Sequence, residues 1–410
     1  MLEYKQYMRS LKISSFIIGI CIGLLSCESN SDEVLPSDSF VKIYDDTRFS
    51  ASYIPIDIIQ TEDEGYLILS GTRQESSNFA GTYVMKVDSE GNYIANIRLP
   101  DTDVQPIANW IKQGNMYYFV CMDATNLGAR LFSVDQQLNL SDPTSINATY
   151  PMSVSQVDNQ MILLSYDNDS KNSELSLFDE NGNISQFISF SIGIGEGIEE
   201  PIIDHFTRTG RQFPFQTGRA ADGTYFFNGF YNYTLSLVFT DFSGDMPKGV
   251  VQGQQDDGGI SAILPLSGSN FALSRFNFGD NYVVSQTQIN TSDIISSTNL
   301  IGNSALEWAP DAHVDIKRIN IPQLLDVIIY GSTTQNGQIM ITIYDSSTGE
   351  WLGNKYLGFS TPYSIQGMIQ TSDNGIAILG TTAVAGRFNR ICLFKLSSKE
   401  LIDISKQVQQ

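Results

Sequence analysis

Histidine is almost absent from this 410-residue sequence, which contains only His205 and His313. Protein zinc centres and acid–base relays commonly depend on histidine, so two isolated histidines argue against both kinds of site. No nucleophile-elbow motif is present. Carboxylates are the exception, because 45 Asp and Glu residues are available for glycosidase-type catalysis. No pair stands out among them, so the sequence favours a non-enzymatic role and predicts neither a metal nor a cofactor.

Basic residues are also scarce. The sequence has 24 Lys and Arg against 45 Asp and Glu, and its formal net charge is −21. Binding to nucleic acid depends on clustered cationic side chains at the phosphates. We therefore predict no nucleic-acid partner. The excess of negative charge is typical of a protein kept soluble outside the cytoplasm.

Cysteine is rare, with four residues, and none has the spacing of a metal or haem site. Cys21 and Cys27 lie near the N-terminus. Cys121 and Cys392 lie far apart in the apolar runs YYFVCM and RICLFKL. A disulfide between them is one interpretation. The one that we favour is a pair of buried free thiols.

The apolar run at residues 13–25 is too short to span a bilayer, and it follows the basic residues Lys5, Arg9 and Lys12. This pattern predicts an N-terminal signal peptide. Residues 24–27 read Leu-Leu-Ser-Cys and resemble the lipobox of bacterial lipoproteins. In those proteins the cysteine carries fatty acids such as palmitate. The resemblance implies a lipoprotein signal peptide over residues 1–26, lipidation of Cys27 and a membrane anchor. An ordinary signal peptide is the alternative.

Residues 27–39 are polar and are predicted to form a flexible acidic tether. Glu28, Asp32 and Glu33 lie close to Cys27. Such an acidic cluster is similar to the surface-export signal of Bacteroidota-type lipoproteins. The similarity implies attachment to the outer membrane with the protein facing the cell surface. A periplasm-facing anchor is the alternative.

A repeated stretch organises the rest of the chain. Residues 55–72, PIDIIQTEDEGYLILSGT, and residues 364–382, SIQGMIQTSDNGIAILGTT, both contain Thr-x-Asp-x-Gly between two apolar runs. Asp bonds to nearby backbone amides and Gly accepts a positive φ, so the motif predicts a β-hairpin. We interpret its aspartates, and a half-match to the Asp box of sialidases, as structural.

A second marker, an apolar residue or Thr followed by Asp and a Gly turn, recurs from Asp88 to Asp345. With weaker copies at Asp135, Asn290 and Leu396 it divides residues 40–410 into seven units of four short strands. Units of this length predict an all-β fold, a seven-bladed β-propeller of four-stranded antiparallel blades. The predicted blades span 53–100, 104–147, 151–192, 211–253, 259–302, 311–358 and 363–404.

Closure of the ring has its own signal. Residues 40–46, FVKIYDD, resemble residues 353–358, GNKYLG, at the end of the sixth blade. The N-terminal segment is therefore predicted to add an outer strand to the last blade. Residues 401–405 compete for the same position.

The first blade also resembles the propeller repeats of Bacteroidota lipoproteins, which run Thr-x-Asp-Gly-Gly-Tyr, then Gly-x-Thr, then Lys-x-Asp-x-x-Gly. Lys86-Val-Asp88 matches the third element, and Glu64 replaces a Gly. The last blade keeps residues 371–375 and Lys395 but has Ser397 for the Asp, and the second, third and fifth blades match poorly. The resemblance implies a fold and a compartment but no activity.

Irregular loops are predicted to share one end of the propeller, opposite the Asp-Gly turns. These loops are 73–81, 123–129, 167–173, 277–281, 333–337 and 383–389, and loops on a rigid scaffold often carry binding sites. The largest irregularity is residues 193–217. Its candidate binding residues are His205, Phe206, Arg208, Arg211, Phe213 and Phe215, since aromatic and arginine side chains are favoured at protein contacts. A plug of the channel mouth is the alternative, and His313 is interpreted as a strand residue.

These features together predict a lipid-anchored outer-membrane β-propeller that binds a protein or a glycan, as a scaffold or an accessory subunit of an uptake or barrel-assembly complex. The competing hypothesis is a surface polysaccharide-degrading enzyme, a hydrolase or a lyase. Two carboxyl groups converging within about 5 to 10 Å in the channel would favour that second hypothesis.

Overall fold

The computed structural model describes residues 38–44, 52–75, 77–255, 257–322, 326–383 and 388–407. The predicted signal peptide, the lipidation site Cys27 and the tether up to residue 37 lie outside these residues. Among the helices of the described residues, none is long and apolar enough to cross a membrane.

The described chain is all-β, apart from two short α-helices and one 3₁₀ turn. Its first strand, β1 (Phe40–Tyr44), is far in sequence from its partners. The next strands form an antiparallel meander: β2 (Tyr53–Gln60), β3 (Tyr66–Arg73), β4 (Ala80–Val87) and β5 (Tyr93–Arg98). The short β6 (Asp103–Val104) then pairs with β4, and this pairing extends the sheet to the following strands.

The second meander is β7 (Ile111–Gln113), β8 (Met116–Asp123), β9 (Gly128–Val134) and β10 (Thr144–Thr149). Because β6 pairs with both β4 and β8, these two meanders form one sheet of nine strands. The third meander is a separate sheet of β11 (Pro151–Val157), β12 (Gln160–Asp167), β13 (Asn172–Phe178) and β14 (Ile184–Ser191).

The fourth meander follows the helix α1 (Glu200–His205) and consists of β15 (Gln216–Arg219), β16 (Tyr225–Tyr231), β17 (Thr234–Thr240) and β18 (Gly249–Gln252). The fifth consists of β19 (Gly258–Pro265), β20 (Asn270–Asn277), β21 (Asp280–Gln288) and β23 (Asn303–Ser304). Between β21 and β23, β22 (Ile294–Ser296) leaves the fifth sheet and pairs in parallel with β18; the 3₁₀ turn Ser297–Asn299 follows it.

The sixth meander is β24 (Val314–Asn320), β25 (Asp326–Thr333), β26 (Ile339–Asp345) and β27 (Trp351–Leu357). The last sheet has β28 (Tyr363–Gln370), β29 (Ile376–Thr382) and β30 (Arg390–Leu396), and β1 pairs antiparallel with β30 as its outer strand. The predicted addition of an N-terminal outer strand is therefore observed in the pairing of Phe40 with Lys395.

The alternative outer strand at residues 401–405 is wrong, because these residues lie in the helix α2 (Ser398–Ser405). Ser397 and Glu400 form a capping box, in which each side chain bonds the other's backbone N–H. Leu401 and Ile404, three residues apart, then share one face of the helix and pack into the apolar core.

The Thr-x-Asp-x-Gly motif is structural, as predicted. Asp63 accepts hydrogen bonds from the Gly65 amide at 3.2 Å and from Lys86 Nζ at 2.7 Å, and Lys86 is 3% exposed. Burial alone would raise the pKa of Asp63, but hydrogen bonds from Lys86 and Thr61 lower it. The motif thus supplies the carboxylate that a buried ammonium requires, and the Asp373–Lys395 pair repeats this arrangement.

Neighbouring sheets pack face to face through apolar side chains. Ile329 and Ile341 of the sixth sheet, for example, share one buried cluster with Ile365 and Met368 of the last sheet. The first strands of successive meanders are in contact, β2 with β28, β28 with β24, β24 with β19, β19 with β15 and β15 with β11. Cys121 and Cys392 are buried free thiols, which confirms the favoured interpretation.

Candidate functional site

The connection from β14 to β15, residues 192–215, is a folded insertion that contains α1. Ile202 and Phe206 are buried in the core beside Tyr166 of the third sheet and Phe227 of the fourth. Pro201 occupies the first turn of α1, where its missing amide is tolerated. The insertion is therefore anchored by apolar packing rather than laid loosely over the surface.

His205 lies at the centre of an aromatic cluster in this insertion. Its ring contacts Phe215 at a centroid distance of 4.7 Å and Phe206 at 5.4 Å, and Phe213 packs on Phe230 at 5.0 Å. The Nδ1 atom accepts the Phe213 amide at 2.9 Å. Burial lowers the pKa of His205 to about 4. At neutral pH the imidazole is therefore uncharged and is used internally as a hydrogen-bond acceptor.

The two arginines of the insertion join it to other connections. The Arg208 amide donates to the Asn78 carbonyl at 2.9 Å, and its guanidinium donates to the Ser77 carbonyl at 3.2 Å, both in the β3–β4 loop. Arg211 bridges Asp257 at 2.7 Å and Asp311 at 2.6 Å. These partners precede β19 and β24, so the insertion is fastened to the first, fifth and sixth meanders.

All six predicted binding residues thus lie in one segment, and the segment contacts loops from the end of the meanders where irregular loops were predicted. Their side chains largely contact one another or other parts of the chain. Whether they also bind a ligand stays a prediction. The contacts equally suit the alternative of a structural cap on this end.

An open cavity of about 770 Å³ lies beside the insertion. It is lined by Tyr150, Asn168, Glu199, Glu200, Pro201, Ile203, Asp204 and Thr207. Lys171 forms an ion pair with Glu199 at 3.0 Å, which leaves Glu200 and Asp204 as exposed carboxylates. The cleft is of ligand size and favours a partner with positive charge or many hydrogen-bond donors.

A second group of polar residues lies on the first strands. Asp57 on β2 accepts the Trp110 amide at 2.6 Å, and Asp315 on β24 accepts the Met368 amide at 2.7 Å. Lys317 pairs with Asp315 at 3.3 Å. Each carboxylate therefore fastens its own meander to the first strand, or the approach to it, of the next meander.

The two carboxylates converge on Gly367 of β28. A Cβ atom added there would lie 3.5 Å from Asp57 Oδ1 and 4.0 Å from Asp315 Oδ2. The distance between these two oxygens is therefore at most the sum of 3.5 Å and 4.0 Å. Burial raises the pKa of Asp57 to about 6, although Lys317 and the Trp110 amide oppose the shift. Sequence reasoning did not single out this pair.

His313 lies one residue before β24 rather than within it, so its interpretation as a strand residue misses by one position. Burial lowers its pKa, and the nearby Asp315 opposes that shift. Within the described residues, no three His, Cys, Asp or Glu side chains are grouped to hold a metal ion.

Neither a protein-family model nor a curated protein matches the chain. Solved structures do. An α-L-arabinanase from Penicillium chrysogenum, complexed with arabinobiose, is 11% identical with a TM-score of 0.47, over 88% of this chain and 98% of that one. The β-propeller domain of the trilobed protease from Pyrococcus furiosus, described as an open velcro topology, is 10% identical with a TM-score of 0.47, over 86% and 97%.

The Dos1 propeller is similar at 11% identity and a TM-score of 0.42, over 87% of this chain and 95% of that one. The protease domain and Dos1 are described as propellers. The assignment of a propeller architecture to this chain rests on its own sheets, which are successive antiparallel meanders with their first strands in contact.

Proposed function

We propose that the chain is a seven-bladed propeller, closed into a ring by β1, that serves as a lipid-anchored binding or scaffold module of the outer membrane. Seven successive groups of four antiparallel strands support the blade number when the nine-stranded sheet is counted as two blades. Pairing of β1 with β30 and contact of β28 with β2 support closure. The anchor is inferred from the lipobox at Cys27.

The observation that carries the binding role is the fastening of the insertion. Its backbone and arginines are bonded to Asn78, Asp257 and Asp311, which belong to loops of three other blades. Loops held in one arrangement lose little conformational entropy when a partner binds. The surface around the 770 Å³ cleft is therefore a pre-organised contact site for an outer-membrane protein or a glycan.

The test is purification of the lipidated protein from outer membranes in mild detergent. We expect a stoichiometric barrel-protein partner or a bound glycan, and we expect Glu200→Lys in the cleft to abolish its retention. Glu90→Lys in an exposed turn of the first blade is the matched control and retains the partner. Equal retention by both variants, or no partner and no glycan, contradicts the proposal.

The anchor and its orientation are tested separately. Mass spectrometry of the mature N-terminus should find acylated Cys27, and Cys27→Ser should release the protein from the membrane. External protease on intact cells should digest a surface-facing chain. Complete protection of a membrane-attached chain would instead support the periplasm-facing alternative.

A second function, hydrolysis of a polysaccharide, is favoured by one specific observation, the convergence of Asp57 and Asp315 at Gly367. Two of their oxygens lie 3.5 Å and 4.0 Å from one point, a Cβ built at Gly367, so their separation is below the upper limit of about 10 Å for paired glycosidase carboxylates. With a pKa of about 6, Asp57 could donate a proton near neutral pH. Release of reducing sugar that disappears in Asp57→Asn would establish this function, and no release from wild type would reject it.

A further inference from the structure

A second cavity lies between the fifth and sixth sheets because the fifth sheet lacks most of its outer strand. Its β22 segment pairs with β18 of the fourth sheet instead. The remaining outer strand, β23, has two residues and pairs only with Tyr282 and Val283 of the nine-residue β21. Space that a full outer strand would fill is left open toward β26 and β27.

The cavity measures about 330 Å³, and three aromatic residues contribute to its walls. Trp308 and Tyr344 are 3% and 7% exposed, whereas Trp351 on β27 is 46% exposed. Two of the three tryptophans of the chain therefore line one cavity. Tryptophan is enriched at binding sites, and the half-exposed indole of Trp351 has surface available for a ligand.

Neutral hydrogen-bonding groups complete the lining. Asn303 and Ser304 come from the fifth sheet, and Thr342 and Asn354 come from the sixth. Glu307 is the one ionisable acid of the lining, and its Oε2 accepts the Tyr356 hydroxyl at 2.8 Å. No Lys or Arg belongs to the lining residues. An anionic ligand would therefore find a carboxylate and no counter-charge.

We propose that this cavity binds a neutral sugar residue of a glycan. A pyranose ring offers an apolar C–H face, which suits the exposed indole of Trp351, and hydroxyl groups, which suit the amide and hydroxyl side chains. The volume is at the lower end of ligand pockets, about 300 to 1,000 Å³, and so matches a short glycan segment rather than a protein domain. The site is separate from the insertion, so it goes beyond the proposed function and can fail independently of it.

The test is titration of the purified full chain with neutral oligosaccharides, namely cellohexaose, xylohexaose and mannohexaose, with trigalacturonate as the anionic probe. Binding is followed by tryptophan fluorescence and calorimetry. We expect at least one neutral probe to bind and to change the fluorescence, and trigalacturonate to bind more weakly. Trp351→Ala should lower the affinity about tenfold, which corresponds to about 1.4 kcal/mol.

Two variants keep the outcome interpretable. Ser304→Tyr places a large side chain on an exposed residue of the lining and should block binding without disturbing the core. Tyr93→Ala removes an aromatic residue that is 53% exposed on β5 of another blade, and should leave binding unchanged. Absence of binding by all neutral probes, preference for trigalacturonate, or equal affinity of wild type, Trp351→Ala and Ser304→Tyr would overturn the proposal.

Discussion

The insertion and the cavity between the fifth and sixth sheets are both rich in aromatic residues, but they use them differently. In the insertion, Phe206 is buried and His205 accepts a backbone amide, so the aromatic groups hold the segment together. At the cavity, Trp351 remains half exposed. Composition alone marks the insertion as a contact site. Side-chain exposure instead indicates the cavity as the contact site, because a side chain that is already packed has little surface left for a ligand.

Truncation of one aromatic residue in each region tests this difference most directly. Phe206→Ala removes a ring that is 1% exposed and should cost about 3 to 5 kcal/mol of unfolding free energy. Trp351→Ala, at the solvent-facing edge, should cost less than about 1 kcal/mol. Chemical denaturation of both variants measures the difference. Similar losses would show that Trp351 is a core residue and not a contact residue.

The stability of the fold is expected to depend on pH through His205. The unfolded chain protonates His205 near pH 6.5, whereas the folded chain resists protonation until about pH 4. The unfolded state therefore gains the proton first, and His205 destabilises the fold progressively as the pH falls from 6.5 to 4. The effect at pH 4 should reach about 3 kcal/mol.

The measurement is the stability of wild type minus that of His205→Gln, which keeps an acceptor for the Phe213 amide. Asp57 acts in the opposite direction, because its raised pKa makes the folded chain take up a proton near pH 6. Its contribution cancels in the difference. A difference that does not change between pH 7 and pH 4 would show that the imidazole reaches solvent.

Loss of the ion pairs by which Arg211 fastens the insertion should change the stability least. Arg211→Ala should cost about 1 kcal/mol, and less at high salt, because its side chain is partly exposed and its two ion pairs are screened. Arg219→Ala, which breaks a single pair with Asp158, is the control. Thermal unfolding at low and high salt compares the two, and an equal effect would argue that the bridge does not fasten the insertion.

Much of the fold was accessible from local patterns. The copies of Thr-x-Asp-x-Gly at residues 61–65 and 371–375 placed two hairpins, and the likeness of residues 40–46 to residues 353–358 identified the extra strand β1. The helix α2 was missed although its capping box, Ser397 to Glu400, is a local signal. The repeat makes residues 401–405 a competing outer strand because it leaves that position to fill, whereas the spacing of three residues between Leu401 and Ile404 fits one face of a helix.

The candidate sites were less accessible, because they depend on contacts between distant parts of the chain. Asp57 and Asp315 converge only when β28 lies between β2 and β24. In the sequence, each of the two is distinguished locally only as a carboxylate within an apolar strand. The second cavity arises from the parallel pairing of β22 with β18, and parallel pairing across a long connection leaves no periodicity that a sequence could display.

Pairing of β1 with β30 joins the first and the last strand of the described residues. During synthesis, β1 has no partner until the residues of β30, up to Lys395 and beyond, have been made. Contacts between such remote residues form slowly, because a long loop has to close first. A chain shortened before β30 would leave both β1 and β29 with an uncovered strand edge, and such edges recruit other chains. Completion of the polypeptide is thus coupled to the covering of its strand edges.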